Sequence, residues 1–490
     1  MRFALNSNAN LAALLAALAL GGCAVGPAYH RPPVDAPAGF RGAPPSPSTN
    51  SLADLPWWRV FEDPALQDLI ETALTNNYDL RIALARVEQA RSIEIQGRSG
   101  FFPQVGYGAT ATEGRNMFLN LPNPNGGKVL DSFAGGLGAA WEVDLWGRVR
   151  RMNEAARAAF LASEEARRGV RLSLISGVAK AYFELIELDD QLAIARRTAQ
   201  SFDHTFKLFK DQHDSGLASR LELSRAKAAL CSVSATIPDL ERQTALKENE
   251  ISVLLGRRPA PIPRSGGGST RTFALEVPAG LPSTLLERRP DIRMAEQQLH
   301  AANARIGVAI GDFFPRIGLT AVYGGVSSEL SDLTGPGAGA WSLAATTTGP
   351  IFQGGRLSGR YREAKAACEQ ARLRYQETIL EAFREVSDAL ISRQKVEEMS
   401  LQQSAAVEAF RDAADTATER YSAGKANYFE VLEAQQQLFP AETTLSRTET
   451  ARRLAIIQLY KSLGGGWNLK DDQWNHAATP RRAESGSRVP

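Results

Sequence analysis

The sequence predicts a membrane β-barrel plus a long α-helical coiled-coil barrel, built from a duplicated unit that contributes four strands per chain. Three observations carry this. The body of the chain repeats at a nearly constant offset. Each copy holds two long runs of alternating residues. Each copy also holds a helical stretch far too long for a compact domain.

The repeat is read from residues of special backbone character. Arg148 and Arg356 each follow a Gly and stand 208 positions apart. The same offset relates Val178 to Val386, Gly216 to Gly424, Glu222 to Glu430, Ala226 to Ala434, Leu230 to Leu438 and Gly256 to Gly464. Upstream the offset is 212, relating Leu74 to Leu286, Asp79 to Asp291, Ala90 to Ala302 and Phe101-Phe102-Pro103 to Phe313-Phe314-Pro315. The change falls between the strands, where the first copy is four residues longer. Self-similarity on this scale marks a duplicated supersecondary unit.

The strands alternate with period two, so one face differs from the other. In the first copy Val105, Tyr107, Ala109 and Ala111 alternate with Gln104, Gly106, Gly108 and Thr110. Phe133, Leu137, Ala139, Trp141 and Val143 then alternate with Ser132, Gly136, Gly138 and Glu142. In the second copy Ile317, Leu319, Ala321 and Tyr323 share a face, as do Trp341, Leu343 and Ala345. Each run reaches the roughly 9–11 residues of a membrane strand. A soluble hairpin packed on a core shares this alternation. Trp141 and Trp341 are candidate aromatic anchors at the membrane interface, with Trp146 an anchor or a packing residue at the junction.

Between Arg148 and Ser215 there is no Pro. At 1.5 Å per residue a continuous helix there would be roughly 100 Å long. Val178, Ala181, Leu185, Leu188, Leu192, Ala195, Ala199, Phe202, Phe206 and Phe209 recur at 3,4 spacing, the seam of a left-handed coiled coil. In the second copy Arg393, Ser400 and Gln403 are expected to break that seam. Gly216 and Gly424 are placed as left-handed helix ends, and Pro238 and Pro440 are expected to kink or interrupt the returning helices.

At the start of the chain, Leu11 to Leu20 is apolar but too short to span a membrane. It fits the core of a secretory signal peptide. The run ends Leu20-Gly21-Gly22-Cys23, which resembles the bacterial lipobox and makes Cys23 the candidate lipidation site. The expected organisation is a signal peptide over 1–22, a lipid-anchored tether over 23–60 and a first repeat over 61–270. That repeat holds a helix, a β-hairpin 103–146 and a helical hairpin 148–256 turning at Gly216. A second repeat over 271–470 holds a helix, a β-hairpin 315–352 and a helical hairpin 356–464 turning at Gly424, and a tail covers 471–490.

Composition excludes several classes. Lys and Arg number 56 against 54 Asp and Glu, a net charge of +2 that gives no reason to expect nucleic acid. Three Cys exclude a disulfide framework. Cys231 and Cys368 stand too far apart along straight helices to pair and are read as small packing residues. No nucleotide-binding, zinc-protease or paired-cysteine motif stands in usable context, so no cofactor, metal or catalytic residue is expected. Four strands cannot close a barrel, and open edges are not tolerated in lipid. The strands must therefore be pooled between chains, and a polar lumen continued by helices is a conduit.

Five segments together resemble one family: Trp141 to Arg151 (WEVDLWGRVRR), Gly280 to Ile317 (GLPSTLLERRPDIRMAEQQLHAANARIGVAIGDFFPRI), Gly349 to Leu357 (GPIFQGGRL), Arg420 to Gln435 (RYSAGKANYFEVLEAQ) and Leu459 to Trp467 (LYKSLGGGW). The sequence is similar to the outer membrane factor family of TolC-like channels, in its NodT-type lipoprotein branch paired with resistance-nodulation-division pumps. The resemblance implies a homotrimer with twelve barrel strands in the outer membrane lipids, four from each chain, over a twelve-helix periplasmic tube. It implies a passive exit channel of a tripartite efflux pump, exporting small molecules with a periplasmic adaptor (membrane fusion) protein and an inner-membrane resistance-nodulation-division pump. It places adaptor docking at Gly216 and Gly424. Family members close this end with charged and aromatic rings. Asp415, with Asp412 as the alternative, is the candidate gate carboxylate, and Arg420 and Tyr421 the residues holding the closed state. Two other readings compete: a structural coiled-coil lipoprotein without a pore, and a TolC-like channel for protein secretion.

Overall fold

The computed structural model describes residues 24–35, 37, 39–42, 51–115, 129–264, 282–469 and 471–474. Its helices are α1 (Trp57–Val60), α2 (Pro64–Asn76), α3 (Tyr78–Ser99), α4 (Arg148–Asp214), α5 (Arg220–Leu254), α6 (Leu285–Arg288), α7 (Pro290–Gly311), α8 (Arg356–Ser422) and α9 (Tyr428–Ser462). Its strands are β1 (Gln104–Arg115), β2 (Val129–Val143), β3 (Arg316–Ser327) and β4 (Gly339–Thr348).

The duplication is written into the element lengths. Helices α4 and α8 are each 67 residues long and begin 208 positions apart. Helices α5 and α9 are each 35 residues long at the same offset. Helices α3 and α7, both 22 residues, and strands β1 and β3, both 12, keep the offset of 212.

The chain divides into two compact units. One holds residues 1–33, 86–164 and 294–376, the other 34–85, 165–293 and 377–490. The described residues of the first contain a four-stranded antiparallel sheet in the order β1-β2-β3-β4. The two copies join at β2 and β3, where Gly136 pairs with Gly324. A Cβ on Gly136 would stand 2.6 Å from the Cα of Gly324, so this close approach needs both glycines. Strands β1 and β4 are the two edges.

The second unit holds the main core. Trp57, Phe61, Leu66, Ile70, Ile175, Tyr182, Leu185, Ile251 and Tyr460 are wholly buried in it. A separate cluster forms where α4, α5, α8 and α9 approach their turns, around Phe202, Phe209, Val233, Tyr428 and Val431.

Four expectations need correction. The tether expected over 23–60 is folded where it is described. Ser51 caps a 3₁₀ turn Leu52–Asp54 with a capping box, and Leu52, Trp57 and Val60 are buried, because the apolar run SLADLPWWRVF has aromatic mass that a solvated linker lacks. Within the segment expected as the tail, Asp471–Trp474 form a 3₁₀ turn, and the Trp474 carbonyl accepts from the Trp57 indole at 3.2 Å. Of the kink or interruption expected at Pro238 and Pro440, the interruption does not occur: both lie inside continuous helices. Each proline removes one backbone donor from a helix of 35 residues, and the remaining hydrogen bonds carry the helix past it. The seam of α8 does not break. Tyr375, Ile379, Ala382, Val386, Ala389, Ser400, Val407, Ala414 and Ala417 are buried, with Arg393, Val396, Gln403, Phe410 and Tyr421 half-buried between them, at unbroken 4,3 spacing. Ser400 is tolerated because its hydroxyl donates to Glu449 at 2.6 Å. Cys231 is exposed on α5 and packs no core, whereas Cys368 is half-buried.

Candidate functional site

Three places in the chain bear on function. The first is the segment that follows Cys23. Cys23 itself and the segment 1–22 lie outside the described residues. Ala24 rests against Gly147, where any Cβ would collide with it. Gly147 takes the left-handed conformation, φ +77°, between β2 and α4, so it serves both the turn and this contact. The Val25 amide donates to the Trp146 carbonyl at 2.9 Å. Arg151, one turn into α4, donates to the carbonyls of Val25 and Gly26 at 3.2 and 3.1 Å. Farther along, Tyr29 stacks on His300 at 4.5 Å, and Arg31 pairs with Glu296 at 3.2 Å. Burial, then the charge of Glu296, pushes the Tyr29 hydroxyl well above the ordinary tyrosine range. The residues after the candidate lipidation site are thus seated at the junction of strand and helix. That junction is built by the WEVDLWGRVRR segment: Arg148 grips Glu142 with two hydrogen bonds, and Asp144 caps α4 through the amides of Val149 and Arg150.

The second place is the sheet. Tyr107, Leu137, Tyr323 and Trp341 stand in one row across all four strands, and Val105, Ala139, Ala321 and Leu343 form the next. Tyr107 is 91% exposed and Trp341 75%. The opposite rows are small except at Val322: Gly106, Gly138, Val322 and Ser342, then Gly108, Gly136, Gly324 and Ala340. One face is therefore a contiguous bare apolar band, which a water-facing sheet does not carry. Trp141 and Trp341 both belong to it, whereas Trp146 leaves it, stacking on Phe314 at 4.7 Å and donating to the Pro315 carbonyl.

The third place is the pair of helix turns. Gly216 has φ +73° and Gly424 φ +69°. Each donates to the carbonyl three residues back, and the next amide donates five residues back: Leu217 to Gln212 at 2.7 Å, Lys425 to Arg420 at 2.8 Å. This double bond pattern satisfies the last carbonyls of both helices. Ser219 and Asn427 then cap the returning helices. Leu217 is 82% exposed, and Leu221 and Phe429 are also bare.

The candidate gate residues are not gathered within one chain. Asp412 and Asp415 are both exposed, three residues apart on α8. Arg420 reaches Glu430 at 3.8 Å, and Tyr421 meets the Tyr428 ring at 5.4 Å. Neither is paired with Asp415. Among the described residues no group of three His, Cys, Asp or Glu could hold a metal ion, and no helix is long and apolar enough to cross a membrane.

One structural centre went unread in the sequence. Arg289, 8% exposed, donates to Asp291 at 2.6 Å, to Glu385 at 2.8 Å and to the Ser462 carbonyl at 2.9 Å. It ties the start of α7 to α8 and to the end of α9, which explains the charge-rich ERRPD segment. The signal available was the paired arginine ahead of Pro290, but its partners lie up to 173 residues away.

Comparison with known proteins defines the class. The outer membrane efflux protein model matches residues 69–257 and 281–465. The chain belongs to the outer membrane efflux protein family. It is 35% identical over 476 residues to the probable efflux pump outer membrane protein TtgC of Pseudomonas putida, covering 96% of this chain and 98% of that one. It is 35% identical over 461 residues to the outer membrane protein OprJ of Pseudomonas aeruginosa, covering 94% and 96%. The solved outer-membrane channel OprN matches with a TM-score of 0.85 at 32% identity, over 91% of this chain and 100% of that one. The protein is thus an outer-membrane channel component of an efflux pump, with the β-barrel and helical-barrel fold of that family.

Proposed function

We propose that three copies of the chain assemble into one passive conduit for small molecules, anchored by an acylated Cys23 after removal of residues 1–22. The observation that carries this is the four-stranded sheet with a bare apolar band and two unpaired edges, β1 and β4. Unpaired edges in lipid cost several kcal/mol per unsatisfied group, so β4 of one copy joins β1 of the next until the ring closes. Three copies supply twelve strands, within the range of known barrels. The small residues of the opposite face then line the lumen.

The turns at Gly216 and Gly424 dock a periplasmic adaptor through Leu217, Leu221 and Phe429, and the adaptor links the channel to an inner-membrane resistance-nodulation-division pump. Threefold symmetry gathers Asp415, or Asp412, into a ring that favours cations, with Arg420 and Tyr421 bracing it. Trp141 and Trp341 sit at the membrane interface. The channel does no chemistry; energy and cargo selection lie with its partners. The native mass of the mature protein in mild detergent tests the assembly. A trimer with acylated Cys23 supports it. A monomer stable without detergent overturns it.

A further inference from the structure

The apolar band continues past the row of Tyr107, toward the end of the sheet away from α4. The next row on the same face is Ala109, Gly135, Gly325 and Gly339, in register across all four strands. Three glycines and an alanine leave a trough there, and the loop between β3 and β4 fills it. A Cβ built on Gly325 would collide with the Leu333 carbonyl, and one on Gly135 would touch the Leu333 side chain at 3.6 Å. Alternate residues of a strand face the same way. Leu333 therefore lies on the side of Leu137, Tyr323 and Trp341. On the opposite face a Cβ on Gly108 or Gly138 would meet nothing within 4 Å. The loop is held by its own hydrogen bonds. Leu330–Asp332 form a 3₁₀ turn, and the amides of Asp332, Leu333, Gly335 and Ala338 donate to Glu329, Leu330, Asp332 and Gly335. Those donors are satisfied without water, as contact with lipid requires. Side chains three apart on such a turn share a side, which sets Leu330 in line with Leu333. Leu330 is 65% exposed. Farther out the same face turns polar. Glu113 pairs with Asp131 four residues beyond Ala109 and Gly135, about 13 Å along the strands. Glu329 and Asp332, exposed beside Leu330, belong to the same polar edge. Leu333 falls between the aromatic row and the carboxylates.

We propose that the β3–β4 loop is a ledge on the lipid side of the sheet. Leu333 completes the apolar band over the glycine trough, and Leu330 rests among the acyl chains at the boundary of the outer leaflet. The partner of this loop is the lipid surface, and the loop leaves the mouth of the conduit clear. The proposal rests on the apolar band facing lipid. What carries it is continuity: the two leucines prolong the one apolar face of the sheet. A loop folded over the mouth would instead cover the rows of Gly108 and Gly138 on the other face.

Fluorescence quenching in the full-length channel, reconstituted in lipid vesicles, tests this. Single cysteines are labelled with nitrobenzoxadiazole in a C231S/C368S background, and the background protein without an added cysteine supplies the blank. Leu330→Cys is the probe, Leu343→Cys the reference for the apolar band and Ser342→Cys the reference for the opposite face. The quenchers are a nitroxide carried on the lipid acyl chain and iodide in the water. Leu330→Cys and Leu343→Cys should each lose more intensity to the nitroxide than to iodide, and Ser342→Cys the reverse. If Leu343→Cys behaves so while Leu330→Cys loses more to iodide, the ledge is overturned and the lipid-facing band stands. If Leu343→Cys also loses more to iodide, the band reading falls and the ledge with it.

Discussion

Gly216 and Gly424, 208 positions apart, hold the same left-handed backbone, and no atom lies within 4 Å of where a Cβ on either would stand. Their conformation alone makes them glycine. Gly216→Ala and Gly424→Ala should each cost about 1 kcal/mol, the penalty of a left-handed alanine. Gly256→Ala should cost more, because its Cβ would also strike the Asn76 backbone. Thermal unfolding of the three variants in detergent checks the order.

Arg289→Ala should destabilise the protein by about 1–2 kcal/mol, because it removes a largely buried guanidinium that Asp291, Glu385 and the Ser462 carbonyl share, while the two carboxylates stay partly solvated. Arg289→Lys should recover only part, since an ammonium cannot reproduce the guanidinium fork that holds two carboxylates and a carbonyl. Equal recovery by Lys would show that charge alone is needed.

On β4, Leu343 belongs to the apolar band and Ser342 to the small-residue face. Leu343→Arg should impair membrane assembly by about 2–4 kcal/mol if it faces the middle of the bilayer. Ser342→Arg should assemble normally and alter conductance. Folding yield into vesicles separates the two; the reverse order would invert the assignment of faces.

Asp415→Asn should lower cation selectivity of the reconstituted channel, most clearly at low salt, since exposed charges are screened over about 10 Å at 0.1 M. The same loss in Asp412→Asn alone would move the constriction to that residue. Arg420→Ala should raise resting current with little change in stability, because its partner Glu430 is as exposed as it is.

Burial pushes the carboxyls of Glu187 and Asp190 above their ordinary range. Their ionised forms are the disfavoured ones in the folded chain. The stability this contributes is fully present below the ordinary carboxylate pKa and is lost as pH rises through the raised folded values. Hydrogen exchange along α4 should therefore slow as pH, after correction for intrinsic rates, falls into that window. Glu187→Gln should flatten the dependence; an unchanged profile would place the effect elsewhere.

Much of the chain's plan was legible because it lives in local pattern. The alternation of Val105 to Ala111 and of Leu319 to Tyr323, and the positions of Gly216 and Gly424, depend on backbone geometry that neighbours in sequence set. The 3,4 spacing of the first long helix is equally local. Where the reading failed, distant partners decided. Ser400 looked like a break in the second seam, and Glu449 supplies its hydrogen bond from another helix. Pro440 was expected to kink or interrupt its helix, and the helix runs through it without interruption.

The sequence by itself determined the duplication, the identity of strands and helices, and the family, because each is written in periodicity and in residues whose backbone demands are intrinsic. Only the tertiary structure decided that residues 51–60 join the core, that Arg289 binds three elements together, and that Glu442 is held by two arginines from different helices. Burial and ion pairing depend on which surfaces meet, and residues as far apart as Trp57 and Trp474, 417 positions, meet only once the chain has folded.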